Sequence, residues 1–272
     1  MRKVAVLWRT AVDQSSPLVE VVILGSGTSH GVPMIGCRCA VCTSADPRDQ
    51  RTRPSIFVRM GGARILVDTA PELRLQCIAN GIDAVDAVLF THHHADHVMG
   101  LDDLRRFNWI MKKRIPCYGA ERTLAALRRM FSYAFEAAPD SPHSKPELEL
   151  ITIKDQPFTL GGETIIPIPL MHGPLPILGF RFGRFAYCTD CSVIPADSMS
   201  LLDGLDVLVL DALRLTPHPT HLSIEQAVAL AQRIAAGRTY FTHMAHQLQH
   251  AQTNATLPRG VELAYDGLRF SM

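Results

Sequence analysis

Excess charge of one sign, long apolar runs and aromatic side chains are all scarce in this 272-residue chain. Lys and Arg number 27 against 26 Asp and Glu, a formal net charge of +1. The basic excess that an electrostatic grip on nucleic acid requires is therefore missing. No apolar run approaches the roughly 20 residues of a membrane span. The opening residues, MRKVAVLWRTAVDQ, hold only a short apolar stretch before Arg9, less than a secretory h-region needs. No repeat or low-complexity segment interrupts the chain, and no linker cuts it in two. The expectation is a soluble, cytoplasmic protein with no membrane partner. With 47% hydrophobic residues there is material for one large core over residues 18–272, preceded by a leader over 1–17. Against these shortages stand 12 His and 7 Cys. In a reducing compartment such residues are thiols, ligands or core filler rather than disulfides, and the balance points to a metalloprotein.

Short β-branched or aliphatic runs predict strands at Val19–Leu24, Ser55–Arg59, Arg64–Val67, Ala87–Phe90, Thr164–Leu170, Arg184–Thr189, Asp206–Leu210, Thr239–Thr242 and Val261–Tyr265. Helical patterns lie between them. Pro71–Asn80 starts with proline and stops at Gly81. Glu121–Ala137 is longer and basic. Ser223–Ala235 opens with Ser223 and Gln226 in capping-box spacing and keeps Ile224, Ala227, Val228, Ala231 and Ile234 on one face. Pro139–Pro146 reads as a surface loop. The alternation predicts a layered α/β domain.

Six apolar runs end in a side chain able to hold a metal: Asp68, His92, His172, Asp190, Asp211 and His243. Six such endings predict a common rim, because sheet edges display side chains rigidly. The densest is Thr91-His-His-His-Ala-Asp-His97. His92 and His94 are two apart and share a side in extended chain, while His93 points away. Asp96 and His97 follow as the chain turns. With His172, Asp190 and His243 the set reaches seven, more than one tetrahedral metal with an open position can use. It suits two metals about 3.5–4 Å apart.

His92-x-His94-x-Asp96-His97, followed in order by His172, Asp190 and His243, resembles the signature of the metallo-β-lactamase superfamily. The resemblance implies a four-layer αβ/βα sandwich. It also implies one metal on His92, His94 and His172, another on Asp96, His97 and His243, and Asp190 between them. Asp68 matches the early strand-end Asp that orients a metal-binding His.

Cys37-Arg-Cys39-Ala-Val-Cys42 packs three thiols into a short stretch, and a closed tetrahedral zinc needs a fourth ligand. His246, three residues beyond His243, is the best candidate. Cys77, Cys117 and Cys188 sit in apolar contexts and read as core. This pattern, with Gly25-Ser-Gly-Thr-Ser-His-Gly-Val-Pro33, Thr242-His-Met-Ala-His246 and Tyr265-Asp-Gly267, resembles the phosphoribosyl cyclic phosphate phosphodiesterase branch of the superfamily. That implies a structural zinc on Cys37, Cys39, Cys42 and His246, and two divalent metals, Zn or Mn, in the active site.

The implied chemistry is hydrolysis of a small phosphodiester, a cyclic phosphate or nucleotide, by a hydroxide bridging the two metals. Asp96 counts among both the ligands and the catalytic residues. The branch, like the related tRNA 3′-processing endonucleases, carries a His-x-Ser/Thr where His221-Leu-Ser223 stands. His221 is therefore the expected proton donor, with Asp211 raising its proton affinity. The Gly25–Gly31 loop offers amides that could cradle a phosphate, and Arg105, Arg106, Lys112, Lys113 and Arg114 could attract an anion, within a basic stretch from Arg105 to Arg129 that the branch does not match. The nearest rival is a tRNA-processing nuclease, opposed by the lack of a long basic Gly-rich arm. A thioesterase or lactonase and an oxidative role in cofactor biosynthesis share the metal rim. A homodimer is the family default.

Overall fold

The computed structural model describes residues 19–136 and 144–272. The expected leader over 1–17 and most of the Pro139–Pro146 loop lie outside the described residues. Strands β1 (Glu20–Gly25), β2 (Ser55–Met60), β3 (Ala63–Val67), β4 (Ala87–Leu89), β5 (Ile115–Gly119) and β6 (Leu148–Thr152) form the first sheet. The second comprises β7 (Phe158–Leu160), β8 (Glu163–His172), β9 (Leu175–Phe182), β10 (Phe185–Cys188), β11 (Val207–Asp211), β12 (Arg238–Thr242) and β13 (Val261–Leu263). A last strand, β14 (Arg269–Ser271), returns to pair antiparallel with β1, so the sheet orders are β14-β1-β2-β3-β4-β5-β6 and β13-β12-β11-β10-β9-β8-β7.

Each sheet begins as an antiparallel meander and continues with parallel strands. The parallel steps are β3-β4-β5-β6 in one and β10-β11-β12-β13 in the other. The parallel steps require crossovers, and helices supply them. The helices are α1 (Leu73–Asn80), α2 (Ala95–Val98), α3 (Leu104–Met111), α4 (Glu121–Met130), α5 (Ser132–Phe135), α6 (Ala196–Met199), α7 (Ile224–Ile234) and α8 (His250–Asn254).

The period-two alternation of the strands sorts their residues between two cores. Val21, Ile23, Ile56, Val58, Ile65 and Val67 face the second sheet and meet Ile165, Phe180, Phe182 and Tyr187. Their neighbours Val22, Leu24, Phe57, Leu66 and Val88 face outward and pack under Leu73, Leu104, Phe107, Leu124 and Leu127 of the helices. On the far side of the second sheet Ala227 and Ala231 of α7 are buried against its outer face. The result is the expected four-layer αβ/βα sandwich.

All nine predicted strands form, with ends displaced by one or two residues. The predicted helix over 121–137 is shorter: α4 stops at Met130 because Phe131 leaves helical geometry (φ −119°, ψ 43°) to bury its ring among the outer-core residues. Helix α7 closes as predicted, with the Ser223 and Gln226 side chains each capping the other's amide.

Candidate functional site

The carboxyl ends of β3, β4, β8, β10, β11 and β12 lie along one edge of the two packed sheets, and each delivers a polar side chain there. Three of them arrive in an unusual conformation. Asp68, Asp190 and His243 all have left-handed backbones (φ 63°, 56° and 61°), a region that costs a non-glycine residue about 1–3 kcal/mol. Such strain persists only where the surroundings over-determine it, and here it turns each side chain off its strand into the site.

After β4 the chain runs without regular structure over His92–His94, with His94 extended (φ −68°, ψ 153°), then makes the single helical turn of α2, which carries Asp96 and His97. The structure brings the sequence-predicted residues together in two sets that share Asp190. One is His92, His94, His172 and Asp190; the other is Asp96, His97, Asp190 and His243. Asp190 Oδ2 lies 3.1 Å from His92 Nε2 and 2.8 Å from His97 Nε2, while its Oδ1 lies 2.5 Å from His243 Nε2. His93 belongs to neither set.

The outer faces of these histidines are held. Asp68 Oδ2 is 2.7 Å from His97 Nδ1, and the same carboxylate accepts from the amide and hydroxyl of Thr91, both at 2.8 Å. The Thr220 carbonyl lies 2.8 Å from His172 Nδ1. Each contact leaves the opposite Nε2 facing inward, the arrangement by which a second partner orients a metal ligand.

The donor set fits divalent ions. His92 Nε2, His97 Nε2 and Asp190 Oδ1 are buried with no hydrogen-bond partner among the described residues, although they crowd one another. Their lone pairs converge on common points instead of on each other, which a cation satisfies and a protein neighbour does not. The electrostatics agree. Burial opposes charge on His97, but Asp190, Asp96 and Asp68 outweigh it and hold its pKa well above the ordinary value. His243 is likewise buried, and Asp190 raises it to about 10. Burial and the nearby His97 push His92 down to about 3. The carboxylates here demand positive charge, from protons or from metal.

His221 stands beside both sets. Its ring stacks on His243 with centroids 4.7 Å apart and meets His172 edge-on at the same separation. Asp211, buried at the end of β11, lies 3.0 Å from His221 Nδ1 and accepts from the Leu222 amide at 2.9 Å. A cavity of about 250 Å³ opens from His221 toward His246, lined also by His30, Met34, Arg214 and His218.

The three thiols predicted to share an ion do meet His246: Sγ of Cys37, Cys39 and Cys42 lie 3.2, 3.4 and 3.6 Å from its Nδ1. Zinc bonds of about 2.3 Å to sulfur and about 2.05 Å to nitrogen give a tetrahedral S···N edge of about 3.6 Å, so the cluster has nearly the size of a zinc site. The Cys42 amide holds the Cys39 thiol down to about 6, while burial pushes Cys42 up to about 11. Cys77, Cys117 and Cys188 are buried in the core as expected.

In the Gly25–Gly31 loop the amides of Ser26, Gly27, Thr28 and Gly31 are taken by Asp266, Thr52, Met244 and Thr28 carbonyl or carboxylate oxygens, while Ser29 and His30 line the cavity beside His221. The loop's glycines serve close packing, since a Cβ on Gly25 would sit 1.9 Å from the Arg53 carbonyl. Part of the basic stretch is partnered. Arg105 pairs with Asp102, Lys113 with Asp86, and Arg106 and Arg128 lie over the rings of Trp109 and Phe135. Sequence reasoning also missed Arg51 and Asp49, whose buried pair has no local signature.

A family model described as the beta-lactamase superfamily domain matches residues 63–244, from β3 through the His243 turn. The chain belongs to the metallo-β-lactamase superfamily. Within it, a solved diphosphatase of the PhnP family superposes with a TM-score of 0.88 at 45% identity, covering 94% of this chain and 97% of that one, which places the chain in the PhnP branch. It is also 39% identical over 254 residues to an octanoyltransferase of Porphyromonas gingivalis, covering 92% of this chain but only about half the length of that relative. A ribonuclease Z of a Mycobacterium species is 28% identical over 290 residues, covering 92% of this chain and 94% of the relative. As a superfamily member with a complete His/Asp rim, the chain is a metallo-hydrolase. Among its described residues no helix is long and apolar enough to cross a membrane.

Proposed function

We propose that this chain is a metal-dependent phosphodiesterase of small phosphodiesters, a cyclic phosphate or nucleotide among them. The observation that carries the reading is the His221–Asp211 pair set directly against two ligand groups sharing one carboxylate. Hydrolysis of a diester needs three things at one place: a nucleophile, charge neutralisation on the phosphoryl oxygens, and a proton for the departing alkoxide. His92, His94 and His172 would hold one ion, Asp96, His97 and His243 the other, with Asp190 between. A divalent pair bound there, Zn or Mn, supplies Lewis acidity and an activated water. Cys37, Cys39, Cys42 and His246 would hold a zinc of structural role.

The remaining work belongs to the chain itself. Asp68 and the Thr220 carbonyl fix the His97 and His172 rings. Asp211 holds His221 at Nδ1 and so leaves Nε2 free to give a proton to the leaving oxygen. The small cavity at His221 favours a compact substrate over a polymer. The likeness to a PhnP-family diphosphatase supports phosphoryl chemistry, and the likeness to ribonuclease Z makes a tRNA precursor the second substrate to try.

The test is hydrolysis of bis(p-nitrophenyl) phosphate by protein reloaded with Mn or Zn, beside His92→Ala. Turnover absent from the variant supports the reading. No turnover by the loaded protein, with release from a thioester or lactone instead, overturns it.

A further inference from the structure

One short segment carries a member of each candidate metal site. His243 belongs to the histidine rim and His246, three residues on, to the cysteine cluster. What fixes the segment is a guanidinium. Arg51 is 1% exposed, donates from Nη1 to the Ala245 carbonyl at 3.2 Å and from Nη2 to the Leu248 carbonyl at 2.6 Å, and pairs with Asp49 Oδ1 at 3.2 Å. That same Asp49 oxygen accepts from the His250 amide at 2.7 Å.

The clamp reaches the cysteines too. The Arg51 amide and carbonyl pair with Val32 at 2.7 and 2.8 Å, at the head of the loop leading to Cys37. Gly27 approaches so closely that a Cβ there would lie 2.7 Å from the Arg51 carbonyl, and Ser26 and Thr28 exchange backbone bonds with Met244, next to His243. A guanidinium this deeply buried against a single carboxylate is costly to desolvate, and Arg51 Nε and Asp49 Oδ2 even lack partners. An apolar side chain could fill the space, but it could not hold two carbonyls of the ligand-bearing segment.

We propose that Arg51 is a positioning residue that couples the two metal sites. An ion on Cys37, Cys39, Cys42 and His246 sets the position of the segment clamped by Arg51, and thereby raises the affinity of the Asp96–His97–Asp190–His243 set for its own ion. Whichever ion binds first places both His243 and His246, so the second meets its ligand already in position, and the effect is reciprocal. The inference rests on reading both clusters as metal sites, and is independent of which bond the enzyme hydrolyses.

The experiment uses the full chain stripped of metal. One portion receives a single equivalent of Cd²⁺, its place on the thiolates verified by the ultraviolet thiolate-to-cadmium band; the other is left without it. Both are titrated with Mn²⁺, which avoids thiolates, and free Mn²⁺ is read by electron paramagnetic resonance. Mn²⁺ should bind about tenfold more tightly with cadmium in place, a typical coupling. Arg51→Met should abolish that difference at unchanged cadmium stoichiometry, and Arg51→Lys should restore part of it. Equal Mn²⁺ affinity in the two wild-type portions overturns the proposal, even if Arg51→Met fails to fold. Coupling that survives intact in both folded variants removes Arg51 from it. Absence of Mn²⁺ binding sinks the metal reading itself, whereas coupling without diester turnover sinks only the proposed activity.

Discussion

In the proposed mechanism His221 and Asp68 do different work, and substitution separates them. His221→Ala should reduce kcat about 10²–10⁴-fold on diesters with alkoxide leaving groups and far less on p-nitrophenyl esters, whose leaving group departs without a proton. Steady-state rates on the two substrate types check this; equal losses would remove His221 from proton transfer. Asp68→Asn removes the carboxylate beside His97 Nδ1 and should weaken Mn²⁺ or Zn²⁺ binding about 10–100-fold, read by competition with a chromophoric chelator. Thermal stability should fall with it as well: Asn tolerates the left-handed backbone at this position, but its amide cannot accept from all the buried donors that the Asp68 carboxylate meets on Thr91 and His97. The side chains of the rim were legible because each closes a recognisable apolar run, and because His92 to His97 are dense enough to stand out in a local window. Arg51 was not. A buried arginine between a turn and a strand looks in sequence like any surface cation, and only the three-dimensional approach of residues 245 and 248 gives it a role.

At the scale of elements, the helix that follows His221 depends on its cap. Ser223 accepts from the Gln226 amide while Gln226 returns a bond to the Ser223 amide. Ser223→Ala should therefore cost about 1 kcal/mol, measured as a lower urea midpoint at unchanged slope. That capping box could be read from spacing alone, as could strands whose apolar residues run unbroken. Strand β9 could not, because Pro176 and Gly179 look like breakers in Leu-Pro-Ile-Leu-Gly-Phe-Arg-Phe. Tertiary packing resolves the conflict. Pro176 sits at the start of the strand, and Gly179 is where the neighbouring chain comes closest, a Cβ there lying 2.7 Å from the Tyr187 carbonyl. Strand β5 was hidden in the same way by Pro116 and by the basic residues before it.

For the molecule as a whole, the rim lies where two sheets meet, so its ligands come from both halves of the chain and metal should act as a cross-brace. At an ion concentration about 100 times Kd the expected stabilisation is about 2.7 kcal/mol, lost on dialysis against a chelator and read as a fall in Tm. Acid should act through His250, which is buried and held at about 4 in the fold against 6.5 in the open chain, burial being the main cause and Arg48 the next. Between those values the unfolded chain binds the extra proton, so stability is present above about 6.5 and lost as pH falls toward 4. Urea midpoints across that window should drop less in His250→Gln than in the native chain. The return of β14 to the edge of the first sheet also sets an order in time. As the chain leaves the ribosome, Asp68 and His92–His97 emerge on a sheet still missing its outermost strand, long before His172, Asp190 and His243 exist to complete the rim. The rim is therefore incomplete until β12 and the turn after it have been made, and a chain halted before β8 lacks three of its ligands.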